Sequence, residues 1–217
     1  MKTNNVSIES FFHSIPKDLQ HLFDSENTPW FCLHSELKNF FDSKSNLAGE
    51  ISNKAFISGE GVVIEKGAVI DPFSYIQGPC FIGSGTHVRP GAYIRGHVYV
   101  GKSCVVGHST EIKHSILFDG AKAGHFNYIG DSVLGCDVNL GAGTKIANLK
   151  ITSGNVFTKF NQVKIDTGLR KFGAVLGDQV QTGCNSVLNP GTCLAKGSMV
   201  FPNTTASNIH LKKAIIR

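Results

Sequence analysis

Starting at Ile64, every sixth residue is apolar for ten positions: Ile64, Ile70, Ile76, Ile82, Val88, Ile94, Val100, Val106, Ile112 and Phe118. Only 41% of the chain is hydrophobic, so chance does not hold that register. Four residues after each position come Ala68, Ser74, Cys80, Thr86, Ala92, Val98, Cys104, Thr110 and Ile116, small or apolar, with Lys122 the exception. A period of six is neither the 3.6 of a helix nor the 2 of a simple strand. It is the period of a parallel β-helix, in which each repeat supplies one short strand and one corner. The large residue points into the prism and the small one fits near the corner.

The pattern returns one residue out of phase at Ile129, Leu134, Leu140 and Ile146, and again at Leu176, Thr182, Leu188, Leu194 and Val200. The β-helix therefore spans 51–206. Between the blocks, 150–173 has no such register and reads as a functional loop thrown out from the helix, carrying Lys159, Lys164, Arg170 and Lys171. Residues 1–50 differ. Phe11, Phe12, Ile15, Leu19, Leu22, Phe23, Phe31, Leu37, Phe40 and Phe41 recur at helical spacing, with Pro16 and Pro29 as punctuation. They predict short helices that cap the first coil and hide its open edge. The tail, 207–217, is open to a final strand or a cap, with no legible role.

Charged residues make up 17% of the chain and glycines number 24, a balance that suits an all-β fold with tight corners rather than disorder. The net charge of +5 fits an anionic small molecule better than a nucleic acid, for which dense Lys/Arg runs would be needed. The polar N-terminus and the lack of a run of about 18 apolar residues predict a cytoplasmic chain with no membrane span. Six cysteines without CxxC spacing predict reduced thiols, with Cys80 and Cys104 as packing residues.

A β-helix does not name a reaction. The chemistry lies in Glu111-Ile-Lys113, in Lys122-Ala-Gly-His125-Phe-Asn-Tyr128-Ile-Gly-Asp131, in Asn139-Leu-Gly-Ala142-Gly-Thr144, and in Asn148. These pieces resemble the acetyltransferase half of the bifunctional glucosamine-1-phosphate acetyltransferase/N-acetylglucosamine-1-phosphate uridyltransferases. They resemble more closely the C-terminal domains of related sugar-1-phosphate nucleotidylyltransferases. The resemblance covers about 60–204. It implies an all-β, left-handed parallel β-helix, a homotrimer with active sites between subunits, and acetyl-CoA-dependent N-acetylation of an amino-sugar 1-phosphate in sugar-nucleotide biosynthesis. Glucosamine 1-phosphate is the acceptor it implies.

Residue by residue, the resemblance gives His125 the role of general base, because a sugar ammonium must lose a proton before it attacks a thioester. Glu111 matches an acidic residue beside that histidine. Arg89, Lys113, Tyr128 and Lys171 match groups that grip the sugar and its phosphate, and Asn139 and Asn148 match groups at the sugar and the reacting amide. The Ala142 N–H matches the donor facing the acetyl carbonyl, where negative charge develops. One extra hexapeptide around Tyr93–Val98 shifts Arg89 by one face of the prism, and Arg95 is then its replacement. At the coenzyme end Cys184 stands for a serine and Pro202 for an alanine. The uridyltransferase half, with its glycine-rich nucleotide motif, is not among these residues, so uridyltransferase activity is not expected.

His87, His97, His108 and His114 read as corner residues. A zinc site of the carbonic anhydrase kind needs histidines stacked on adjacent coils, about 18 residues apart, and no pair has that spacing; no metal is expected in the chemistry. Two function classes stay open: the acetyltransferase, and a non-catalytic β-helix that binds a sugar phosphate or assembles with a separate nucleotidylyltransferase.

Overall fold

The computed structural model describes residues 6–23 and 28–217. Three parallel sheets of nine, nine and eight strands form the faces of a left-handed prism, with consecutive strands passing from face to face. The first face runs from Asn46–Leu47 to Ile209–His210, the second from Glu50–Ile51 to Ile215–Ile216, and the third from Phe56–Ser58 to Thr205–Ala206. The β-helix therefore begins at Asn46, inside the unit expected at 1–50, and the 207–217 tail adds two further strands.

The hexapeptide hydrophobics form a single interior column, and Ile64, Ile76, Ile94 and Ile112 are wholly buried in it. Each such side chain contributes about 1.5–3 kcal/mol relative to exposure. The small residues four places on close the corners. The buried Thr86 hydroxyl, for example, donates to the Gly101 carbonyl (2.7 Å) and accepts from the Cys104 N–H (2.9 Å).

Phe118 does not continue the column. The inward residue after Ile112 is Leu117, so this repeat has five residues, and Phe118 packs on the outside of the prism. A second five-residue repeat separates Ile129 from Leu134. Both fall at the corner from third to first face, where His114 and Asp131 turn the chain with φ of 43° and 47°. Residues on these coils are therefore stacked 17 apart, as in Val98↔Ser115 and Ile112↔Ile129.

The described residues of the N-terminal segment do not cap the first coil. Phe11, Phe12, Leu19, Leu22, Phe23, Trp30, Leu33 and Leu37 pack along the outer side of the first face, against Tyr99, Ile116, Phe118, Val133 and Val175. The reason lies in the register. Outward residues of this face form an apolar column that no other part of the prism covers, whereas the open end of the first coil buries little. Three 3₁₀ turns and the one-turn helix Glu36–Asn39 carry the segment. Phe12 meets the Phe118 ring at 4.9 Å and Trp30 meets Phe172 at 5.5 Å. The buried Asp178 carboxylate ties the segment down by accepting from the His13 N–H (2.7 Å) and the Cys136 N–H (2.8 Å). The excursion at 150–173 is built on an antiparallel hairpin, Phe157–Phe160 with Val163–Asp166. Among the described residues no helix is long and apolar enough to cross a membrane.

Candidate active site

The third-to-first corner, the N-terminal segment and the end of the excursion loop enclose a cavity of about 770 Å³. Arg95, Lys113, His114 and Asp131 line it from the prism, Arg170 and Lys171 from the loop, and His34 and Lys38 from the N-terminal segment. Lys113 and Lys171, far apart in sequence, thus share one space. Arg95 belongs to it, and Arg89 is not among its lining residues.

The floor is a hydrogen-bonded column made by the 17-residue stacking. The Asp131 carboxylate accepts from His114 Nδ1 (2.9 Å) and from the Asn148 amide, with the Lys113 ammonium 3.6 Å away. Burial pushes this carboxyl up. The hydrogen bonds from His114 and Asn148, with the charges of Lys113 and His114, outweigh burial and hold it below the ordinary range. His97 meets the His114 ring at 6.2 Å, and burial followed by the His114 and Lys38 charges lowers its pKa.

Asn148 also accepts from the Tyr128 hydroxyl (3.4 Å). Gly130 permits this meeting, since a Cβ there would lie 2.7 Å from Asn148 Nδ2 and 2.8 Å from the Tyr128 oxygen. Burial, then Glu111 and Asp131, raise the Tyr128 phenol. Glu111 lies beside Tyr128 in register and accepts from Arg95 at 2.7 Å.

His125 is not part of this group within one chain. It ends the exposed strand Lys122–His125 on the second face, across the third face from Lys113, and its ring makes no hydrogen bond to a described residue. Glu111, expected beside it, is instead engaged by Arg95. Asn139 is exposed on the second face, between Lys122 and Gln181. Ala142 and Cys184 occupy successive corners after that face. The Ala142 carbonyl accepts from the Asn185 N–H (2.8 Å), and Cys184, which is exposed, accepts through its carbonyl from the Asn203 N–H (2.9 Å). Gly183 lies under the Pro202 ring, where a Cβ would come within 2.4 Å of the Pro202 nitrogen.

The absence of stacked histidines does not hold. His108 is in register with His125, and His97 stacks on His114, because these coils step by 17 residues rather than 18. Even so, no group of three or more His, Cys, Asp or Glu is placed to hold a metal ion among the described residues. Of the four histidines read as corner residues, His97 and His114 are. His87 instead lies on a second-face strand, 2.7 Å from Asp71, and His108 ends one, bonded to the Pro90 carbonyl. The six cysteines are free thiols; burial pushes Cys80 and Cys104 up to about 12, as inert packing residues. Sequence reasoning missed Lys38, His34 and the His114–Asp131 pair. The pair was detectable in principle from the phase slip after Ile112, which resets the stacking distance. The contributions of the N-terminal segment had no local signal.

A family model described as the GMPPB C-terminal domain matches residues 76–198. The bifunctional protein GlmU of Methanococcus maripaludis (strain S2) is 37% identical over 188 residues, 86% of this chain and 45% of that protein. A bifunctional sugar-1-phosphate nucleotidylyltransferase/acetyltransferase of Sulfurisphaera tokodaii is 38% identical over 95 residues, 44% of this chain and 24% of that protein. The chain spans less than half the length of these curated relatives. Among solved structures, the UDP-N-acetylglucosamine acyltransferase of Francisella novicida aligns over 74% of this chain and 65% of its own, with 13% identity and a TM-score of 0.42. The family match takes in more than half the chain and all of the motifs from Glu111 to Cys184, so the chain belongs to the family of GMPPB C-terminal domains.

Proposed function

We propose that this chain is an acetyl-CoA-dependent N-acetyltransferase of an amino-sugar 1-phosphate, with glucosamine 1-phosphate as the acceptor and a cytoplasmic homotrimer as the working unit. The observation that carries the reading is the convergence of Lys113 and Lys171 on one cavity, beside the Tyr128–Asn148 pair. Cations clustered with a phenol and an amide suit a phosphate with a sugar attached, since charge-assisted hydrogen bonds are the strong ones. His125, across the third face and with its ring bonded to no described residue, serves the site of a neighbouring copy. A trimer supplies that arrangement.

In this mechanism His125 takes a proton from the sugar ammonium. The free amine attacks the thioester carbonyl, and the N–C bond forms as negative charge moves to oxygen, facing the Ala142 N–H. Collapse of the tetrahedral intermediate breaks the C–S bond, the coenzyme thiolate leaves with the proton held by His125, and the freed imidazole takes the remaining excess proton from the amide nitrogen. Tyr128, Asn139 and Asn148 orient the sugar, and no metal takes part.

A second reading, a non-catalytic sugar-phosphate module or assembly partner of a nucleotidylyltransferase, has one observation in its favour: the coenzyme end carries Cys184 and Pro202 in place of a serine and an alanine. The two separate in a free-CoA release assay across hexosamine 1-phosphates and UDP-hexosamines, with thermal shifts against acetyl-CoA and against the sugar. An enzyme releases CoA and is stabilised by both ligands; a binding module responds only to the sugar. His125→Ala is expected to lower turnover by a factor of about 10² or more, with the melting temperature unchanged because the side chain is exposed. Turnover within a few-fold of the unmodified protein would sink the base assignment.

A further inference from the structure

The cavity has one wall that the sugar-phosphate motifs do not supply. Leu33, Cys32 and Leu37 are buried in the outer cluster on the first face, which fixes the short helix Glu36–Asn39 against the prism. Lys38, next to the buried Leu37, points its exposed side chain into the same space as Lys113, Arg170 and Lys171. The charges there do not balance. Asp131 is the cavity's carboxylate, and His114, Asn148 and Lys113 already engage it. Arg95 is engaged by Glu111. Lys38, Arg170 and Lys171 make no ion pair with any described residue. Three uncompensated cations from two segments beside a partly buried floor make a site of strong positive potential, which favours a multiply charged anion. At the floor, burial, then the His114 charge, then the Lys38 charge lower the pKa of His97.

We propose that Lys38 is a substrate-binding residue. It grips the phosphate of the acceptor together with Arg170 and Lys171, so that the phosphate subsite is complete within one chain while the base arrives from another. The identity of the anion as a sugar phosphate rests on the acetyltransferase reading; the anion site itself does not. The N-terminal segment is then a structural cover along one face and a wall of the binding site at its edge.

Titration of the full chain with inorganic phosphate, followed by calorimetry at low ionic strength, tests the site without acetyl-CoA. Lys38→Ala is expected to weaken phosphate binding about tenfold, the loss of one charge-assisted contact. Lys38→Arg is expected to restore it, and Lys66→Ala, an exposed change on another corner, to leave it within twofold. Lys38 is exposed, so all three variants should melt with the unmodified protein. The proposal is overturned if the unmodified protein does not bind phosphate, or if Lys38→Ala binds it as well as the unmodified protein. Lys38-dependent binding without CoA release on any hexosamine 1-phosphate would retain the anion site and remove the acetyltransferase reading. CoA release that is insensitive to Lys38 in both KM and kcat would do the reverse.

Discussion

The first and third faces of the prism share a backbone, a repeat and an interior, and they differ in what they show the outside. On the first face the outward residues in register are Asn46 and then, apolar from there on, Val63, Phe81, Tyr99, Ile116, Val133, Val175, Cys193 and Ile209. On the third they are Phe56, Tyr75, Tyr93, Glu111, Tyr128, Lys145, Val187 and Thr205. An unbroken apolar column is costly in water and draws a cover, here the N-terminal segment. A mixed column draws none among the described residues, and Glu111 and Tyr128 there bond to Arg95 and Asn148 instead. The inward period builds the solenoid, while the outward residues divide its surface into a packed side and an open side.

The sharpest way to break this contrast is to delete one ring from each side. Phe12→Ala empties a site that is only 3% exposed and removes the contacts with Phe23 and Phe118. It is expected to cost about 3–5 kcal/mol in urea unfolding. Tyr93→Ala removes a ring that is 37% exposed on the third face, and a cost below about 1 kcal/mol is expected. Equal costs would contradict the division. A Tyr93→Ala cost that rises with protein concentration would instead show the third face to be covered by another copy.

The edge between the two faces can be probed with glycines. In Gly130→Ala the new Cβ meets the Tyr128 hydroxyl and the Asn148 amide, neither of which can retreat without losing the other or Asp131. A loss of about 1–3 kcal/mol is expected, with weaker acceptor binding if the site is the one proposed. Gly124→Ala, where a Cβ meets nothing within 4 Å, is the control and should melt with the unmodified protein.

The interior was legible because a core position repeats its demand at every coil, so ten positions voted for one answer, nine of them correctly. Phe118, the tenth, shows the limit. A five-residue repeat leaves apolar residues close to the old phase, and Ile116 and Phe118 are hydrophobic for a different reason, the cover outside them. That same slip hid the His108–His125 stacking, since an assumed step of 18 pairs the wrong residues. The motif residues Lys113, Tyr128, Asn148 and Lys171 were legible by resemblance, and the structure brings them to one region. Lys38 was not, because it reaches the site through packing between distant segments, which leaves no local spacing to read.

The smallest expected effect concerns pH, and it separates the two kinds of group at the shared edge. Asp131 sits below its ordinary 3.8 in the folded chain, so the stability it contributes is present above that value and is lost as pH falls through the folded pKa. His97 also sits below its ordinary 6.5, because burial and the positive charges of His114 and Lys38 disfavour its protonated form. The unfolded chain then binds the proton more readily, and stability declines as pH falls below 6.5 toward the folded value. Two separate declines are expected on acidification, a shallow one beginning near 6.5 and a steeper one below 3.8, each read as a shift of the urea midpoint. His97→Gln should remove part of the upper decline and leave the lower one. Lys38→Ala should soften the upper decline too, because it withdraws one of the charges that lower His97, whereas Lys66→Ala should not. An upper decline unchanged by both His97→Gln and Lys38→Ala would mean that the two groups do not sense each other, and that the N-terminal wall stands further from the prism than the cavity requires.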